Sequence, residues 1–209
     1  MKKLSAVILF LCLAHLSLHA ADWPQYRADA ARSGYTAEKL PDNLSLSWVY
    51  RPRHAPRPAW RSADTRMVFD HAYHTVIAGG LLYFGSSADC KLYCLDAATG
   101  MEQWSFFTDA PVRFAPAVWK DRVFALSDDG YLYCLSAKEG RLLWKKHGGP
   151  SQNEAMILGN DRMVSRRPAR GGVVILDDTL YFGAGIWPTD GIYLYAMDPE
   201  TGRELWVND

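Results

Sequence analysis

Leu194-Tyr195-Ala196-Met197-Asp198-Pro199-Glu200-Thr201-Gly202-Arg203-Glu204-Leu205-Trp206 decides the fold, because the chain repeats its pattern. The same pattern runs through Leu92-Tyr93-Cys94-Leu95-Asp96-Ala97-Ala98-Thr99-Gly100-Met101-Glu102-Gln103-Trp104 and Leu132-Tyr133-Cys134-Leu135-Ser136-Ala137-Lys138-Glu139-Gly140-Arg141-Leu142-Leu143-Trp144. Trp104 and Trp144 are 40 residues apart; Trp144 and Trp206 are 62 apart, one period plus an insertion. Upstream of each copy lies a second matching piece: Leu82-Tyr83-Phe84-Gly85, Val123-Phe124-Ala125-Leu126 and Leu180-Tyr181-Phe182-Gly183. Before those come Val76-Ile77, Ala117-Val118 and Val173-Val174. β-Branched and aromatic runs split by Gly and Asp turns read as strands. Each unit therefore has four, A to D.

The turn between C and D has a local logic. Asp96, Asp198, Thr99 and Thr201 can bond the turn backbone, and Gly100, Gly140 and Gly202 allow the positive φ of a tight reversal. Strand D then presents Trp104, Trp144 or Trp206, which needs a neighbouring sheet to pack on. Four strands in a period of ~40 residues mark a propeller blade. The expectation is an all-β chain, a β-propeller of four-stranded blades. About three blades (73–108, 113–147 and 172–209) follow one N-terminal strand (44–50), with an insertion at 148–171. Propellers close with ~4–8 blades. Three blades therefore read as an incomplete, open portion of a larger propeller, or a truncated frame. Its exposed faces call for missing C-terminal blades, a protein partner or self-association.

Composition agrees with a packed chain. Of 209 residues 49% are hydrophobic and 22% charged, and 23 basic residues balance 23 acidic ones. That excludes a disordered tail and whole-protein attraction to nucleic acid. Lys2 and Lys3, the apolar stretch Leu4–Leu18 and the small residues Ala20 and Ala21 read as a signal peptide, residues 1–21. The apolar run is too short for a transmembrane span. Cleavage after Ala20 leaves 21 basic against 23 acidic residues, a formal charge of −2, and three cysteines, Cys90, Cys94 and Cys134. Three is an odd number, so a Cys90–Cys94 bridge is allowed but not demanded. The chain is expected in the periplasm or outside the cell.

Small-x-Asp-x-x-Thr-Gly-x-x-x-Trp resembles the tryptophan-docking motif of quinoprotein-type propellers, the PQQ-like repeat family. It is met fully at 196–206; Cys94 takes the small position in the first copy, and Ser136 and Glu139 replace Asp and Thr in the second. Asp22-Trp23-Pro24-Gln25-Tyr26-Arg27 is also similar to the mature start of secreted members. The resemblance implies either a quinone-dependent dehydrogenase or a non-catalytic propeller similar to the outer-membrane assembly lipoprotein. The fold does not choose between them. The adjacent cysteines that the dehydrogenases use against the quinone are absent from this sequence. The resemblance therefore favours a non-catalytic binding or scaffolding module without a cofactor. The alternative is the front of a dehydrogenase for alcohols or sugars that needs pyrroloquinoline quinone and calcium. A sensor or adhesion module is a third reading.

Alternating strand directions bring the D-to-A linkers and B-to-C hairpins to one face, and the insertions fall there. Trp48 to Val76 spans 28 residues and Trp144 to Val173 spans 29, whereas Trp104 to Ala117 spans 13. Arg51, Arg53, Arg57, Arg61 and Arg66 populate the first linker, and Arg162, Arg166, Arg167 and Arg170 the second. Guanidinium suits bidentate recognition of anions, so Arg66, Arg166, Arg167 and Arg170, with His71 and His74, form a candidate rim for an anionic ligand. Solvated arginines paired with loop acids are the plainer expectation. His71 and His74 do not make a metal site: an extended segment turns them to opposite faces, and zinc needs three or four ligands. Cys94 and Cys134 read as small core residues.

Overall fold

The computed structural model describes residues 21–58, 70–150, 156–159 and 161–209. Strands β1 (Thr75–Ala78), β2 (Leu81–Ser86), β3 (Lys91–Asp96) and β4 (Glu102–Phe107) form the first sheet. The second contains β5 (Ala117–Trp119), β6 (Arg122–Leu126), β7 (Tyr131–Ser136) and β8 (Leu142–His147). A hairpin, β9 (Met156–Gly159) and β10 (Arg162–Ser165), separates it from the third: β11 (Ala169–Leu176), β12 (Thr179–Ala184), β13 (Tyr193–Met197) and β14 (Glu204–Asn208). Each large sheet is an antiparallel meander in sequence order, and no α-helix occurs among the described residues. These are three blades of an open, incomplete propeller. The innermost strands touch in turn, β1 against β5 and β5 against β11.

The joints between blades follow from the repeat. In every blade the ladder between the third and fourth strands slips by one residue just before the tryptophan. Such a bulge re-aims a side chain. Cys94, Cys134 and Ala196 lie directly opposite Trp104, Trp144 and Trp206. A large residue there would collide with the indole, which explains the small position in the pattern. Trp104 rests on Gly140, and its Nε1 donates to the Ala137 carbonyl at 3.0 Å; Trp144 rests on Gly202 and donates to Glu200 at 3.2 Å. A Cβ on Gly140 would sit 2.5 Å from the Trp104 ring, so the indole needs bare backbone as much as the turn needs its φ of +67°. Apolar clusters fill the two joints: Tyr83, Leu92 and Val123 beside Trp104, and Phe124, Phe182 and Met197 beside Trp144.

Two features depart from the sequence reading. Residues 44–50 join no ladder among the described residues, yet Trp48 packs on Gly100 as an incoming blade's tryptophan would, with Nε1 3.0 Å from the Ala97 carbonyl. The first strand of the third blade begins at Ala169, inside the expected insertion, because a bulge between Arg170 and Val174 lets it run past Gly171 and Gly172. The sequence also gave no hint of a strap along the inner edges. Trp23 exchanges hydrogen bonds of 2.7 and 2.9 Å with Ile77 of β1, and the Pro24 carbonyl accepts from Val118 of β5. The Gln25 amide then brackets Ile175 of β11 at 3.0 and 3.1 Å. One residue per blade covers edges that would otherwise be unpaired.

Candidate functional site

The second blade's B-to-C hairpin, Ser127-Asp128-Asp129-Gly130, is buried throughout. Asp128 N donates to the Pro111 carbonyl at 2.9 Å, and Ser127 Oγ to that of Ala110 at 3.0 Å. Asp129 accepts from the Tyr133 hydroxyl at 2.7 Å, from Tyr131 N at 2.9 Å and from Asp109 N at 3.0 Å. Burial nonetheless raises its carboxyl above the ordinary range, with those bonds opposing.

Asp128 is 1% exposed and lies between two guanidiniums. Arg113 Nε donates to Oδ2 at 2.5 Å; Arg170 donates to both carboxylate oxygens at 3.2 Å. Arg113 Nη1 also reaches Asp70 Oδ2 at 3.1 Å and the Arg57 carbonyl at 3.3 Å. The segment before β1, the linker before β5 and the start of β11 therefore meet at one buried charge cluster.

The β9–β10 hairpin roofs it. Ser165 N donates to the Asp128 carbonyl at 2.7 Å, and Arg162 reaches the Ser87 carbonyl of the first blade. Ile157 and Val164 line a pocket of about 130 Å³ whose other walls include Arg113, Arg166, Arg170 and Trp187. Arg166 pairs with Asp190 at 3.5 Å, while Arg167 donates to the Asp190 carbonyl and covers the Tyr193 ring. Asp190 ends a short 3-10 turn, Pro188–Asp190.

The expected rim residues thus divide. Arg166, Arg167 and Arg170 gather around this pocket. His74 lies elsewhere, its ring edge-on to Tyr26 at 5.5 Å in a second hollow of about 260 Å³ that Arg32 and Phe114 also line. His71 is exposed and Arg66 lies outside the described residues. No group of three or more His, Cys, Asp or Glu able to hold a metal occurs among the described residues. The three described cysteines are free, and burial pushes the Cys94 and Cys134 thiols up to about 12. Sequence reasoning missed Arg113 and Asp128. Asp128 resembles an ordinary turn residue. Arg113, however, is the one charge in the otherwise apolar run Ala110–Val118, and that could have flagged it.

A family model described as outer membrane protein assembly factor BamB matches residues 54–209. The dehydrogenase subunit of an alcohol dehydrogenase (quinone) from Komagataeibacter europaeus is 32% identical over 93% of this chain and 26% of its own length. Its counterpart from Gluconobacter oxydans (strain 621H) is 30% identical over 90% of this chain and 24% of its own length. The chain thus spans about a quarter of the curated relatives it matches. The solved quinohemoprotein alcohol dehydrogenase from Comamonas testosteroni superposes with a TM-score of 0.66 at 22% identity, covering 90% of this chain and 27% of that one. The repeat, the joints and the family match together place the chain in the PQQ-like β-propeller family that includes the outer membrane protein assembly factor BamB.

Proposed function

We propose that the chain is a non-catalytic binding or scaffolding module of this family, working in the periplasm or outside the cell. One observation carries the reading: the buried charges of the rim pair with one another. Asp128 is held by Arg113 and Arg170, and Arg113 by Asp70 as well. A rigid, internally paired cluster of this kind holds loops in fixed positions for recognition. Trp104 and Trp144, with Gly140 and Gly202, set the blade spacing on which those loops stand. Asp96, Thr99, Asp198 and Thr201 fix the turns that present Gly100 and Gly202. Trp206, 44% exposed, is the surface on which a further blade or protein partner builds. The extracytoplasmic setting rests on the leader pattern, which lies outside the described residues.

A second reading, the front of a quinone-dependent dehydrogenase, is favoured by the relatives' names. Calcium takes six to eight oxygen ligands, carboxylates prominent among them, and no group of three or more His, Cys, Asp or Glu able to hold a metal occurs among the described residues. Under this reading the ligands for calcium and pyrroloquinoline quinone come from blades beyond this stretch.

Titrating the longest natural protein that carries this stretch with pyrroloquinoline quinone and Ca²⁺ distinguishes the two. The binding-module reading expects no change in the quinone spectrum and no dye reduction with ethanol or glucose. Saturable micromolar quinone binding, or alcohol-dependent dye reduction, overturns it.

A further inference from the structure

We propose that the rim bearing the β9–β10 hairpin and the loop after β12 docks on an anionic phospholipid bilayer. Two projections flank the small pocket. On the first, Leu158 and Met163 face each other across the ladder and are 75% and 51% exposed. They occupy the side opposite Ile157 and Val164, which turn toward the pocket. A two-stranded hairpin with a polar outer face would need no cover; this one is apolar on both sides. On the second projection Trp187 is 62% exposed beside the 3-10 turn. Isolated exposed apolar residues need no explanation, but these tip two neighbouring projections on either side of one cleft, lined by Arg113, Arg166 and Arg170 against Asp128 and Asp190.

Charge supplies the complement. Arg166, 58% exposed, lines the cleft between the projections and pairs with Asp190 at 3.5 Å. Arg51, Arg53 and Arg57 are exposed on the adjoining linker. That linker shares the rim, since Arg57 N donates to Ser87 Oγ and Arg162 reaches the Ser87 carbonyl. Separate apolar tips around an arginine-lined cleft suit a fluid surface better than a protein face. Acyl chains and headgroups close around isolated tips, phosphates attract guanidinium, and tryptophan favours the boundary between them. The inference does not depend on whether a quinone binds.

The test is co-sedimentation of the full chain with vesicles of phosphatidylcholine alone or mixed with phosphatidylglycerol. At least tenfold more protein is expected with the anionic vesicles, falling with added salt. Leu158→Ser combined with Trp187→Ser should lower that partition at least tenfold, and Arg166→Glu about fivefold. Both changes are on exposed positions, and circular dichroism reports whether the fold survives. Brominated acyl chains should quench part of the tryptophan emission, and Trp187→Phe should remove that part. Equal partition onto both vesicles, or undiminished binding by the double variant, overturns the proposal. So does a Leu158-dependent dimer that ignores vesicles, which would assign the face to a second copy.

Discussion

At the joints between blades an indole rests on bare glycine backbone and makes one hydrogen bond; at the rim a carboxylate rests between two guanidiniums and depends on both. The first arrangement is mostly apolar and repeats with the chain. Trp48, Trp104 and Trp144 meet Gly100, Gly140 and Gly202 in the same way. The second occurs once, drawing Asp70, Arg113, Asp128 and Arg170 from four separate places. The joints tolerate variation elsewhere in the turn, as Ser136 and Glu139 show, provided the glycine under the indole stays. The cluster has no such latitude, because a buried charge without its partner pays the full cost of leaving water.

The largest expected effect is therefore at the rim. Asp128→Ala leaves two guanidiniums facing each other and should cost about 3–5 kcal/mol, read from urea unfolding. A loss below that of a joint tryptophan would show that water, rather than Asp128, satisfies the cluster. Next come the joints. Trp104→Ala and Trp144→Ala should each cost about 3 kcal/mol. Trp206→Ala, whose ring meets only Tyr181 of its own sheet among the ring contacts, should cost under about 1 kcal/mol. Equal losses at all three would mean that the last blade has a docking partner in solution.

A smaller effect should appear with acid. His147 ends β8, is buried edge-on to Tyr131, and has no hydrogen-bond partner for Nδ1. Burial, then Arg167 and Lys146, lowers its pKa below the ordinary 6.5. The unfolded chain therefore binds this proton more readily than the folded one. His147's contribution is intact above about pH 6.5 and is lost as the pH falls through the depressed folded value. In His147→Phe, melting temperature should depend less on pH between 7 and 5; an unchanged slope would point to other groups. The smallest effect should be a gain. Asp96 Oδ1 accepts from Ala98 N, Thr99 N and Thr99 Oγ1 at 2.7–3.1 Å, and Asp198 accepts from Glu200 N and Thr201 N. The second blade has Ser136 there. Ser136→Asp should stabilise by about 0.5 kcal/mol, and a loss would show that Glu139 repels the new carboxylate.

The same contrast separates what could be read in the sequence from what could not. Periodicity exposes the blades, the turns and the tryptophans, since a feature repeated at a fixed spacing stands out against any background. It also sorts the loops, and so brings Arg166, Arg167 and Arg170 to one rim. Nothing periodic marks Asp128, whose partners are linked only by folding. His71 and His74 lie three residues apart, yet His71 is exposed while His74 packs on Tyr26, a contact with the N-terminal segment that spacing does not announce. The inner strap was invisible for the same reason: a proline and a glutamine near the start announce no partner 150 residues away.

That strap constrains the order in which the protein can assemble. Gln25 closes on Ile175, so this segment must wait for residues made 150 positions later. Until the third blade exists, the segment Trp23–Gln25 has only part of its seat. The early blades can pair their own strands locally, but the clasp along their inner edges is a late, long-range event of the kind that slows folding. A ribosome that stalls within the third blade would leave two blades formed and the N-terminus still searching.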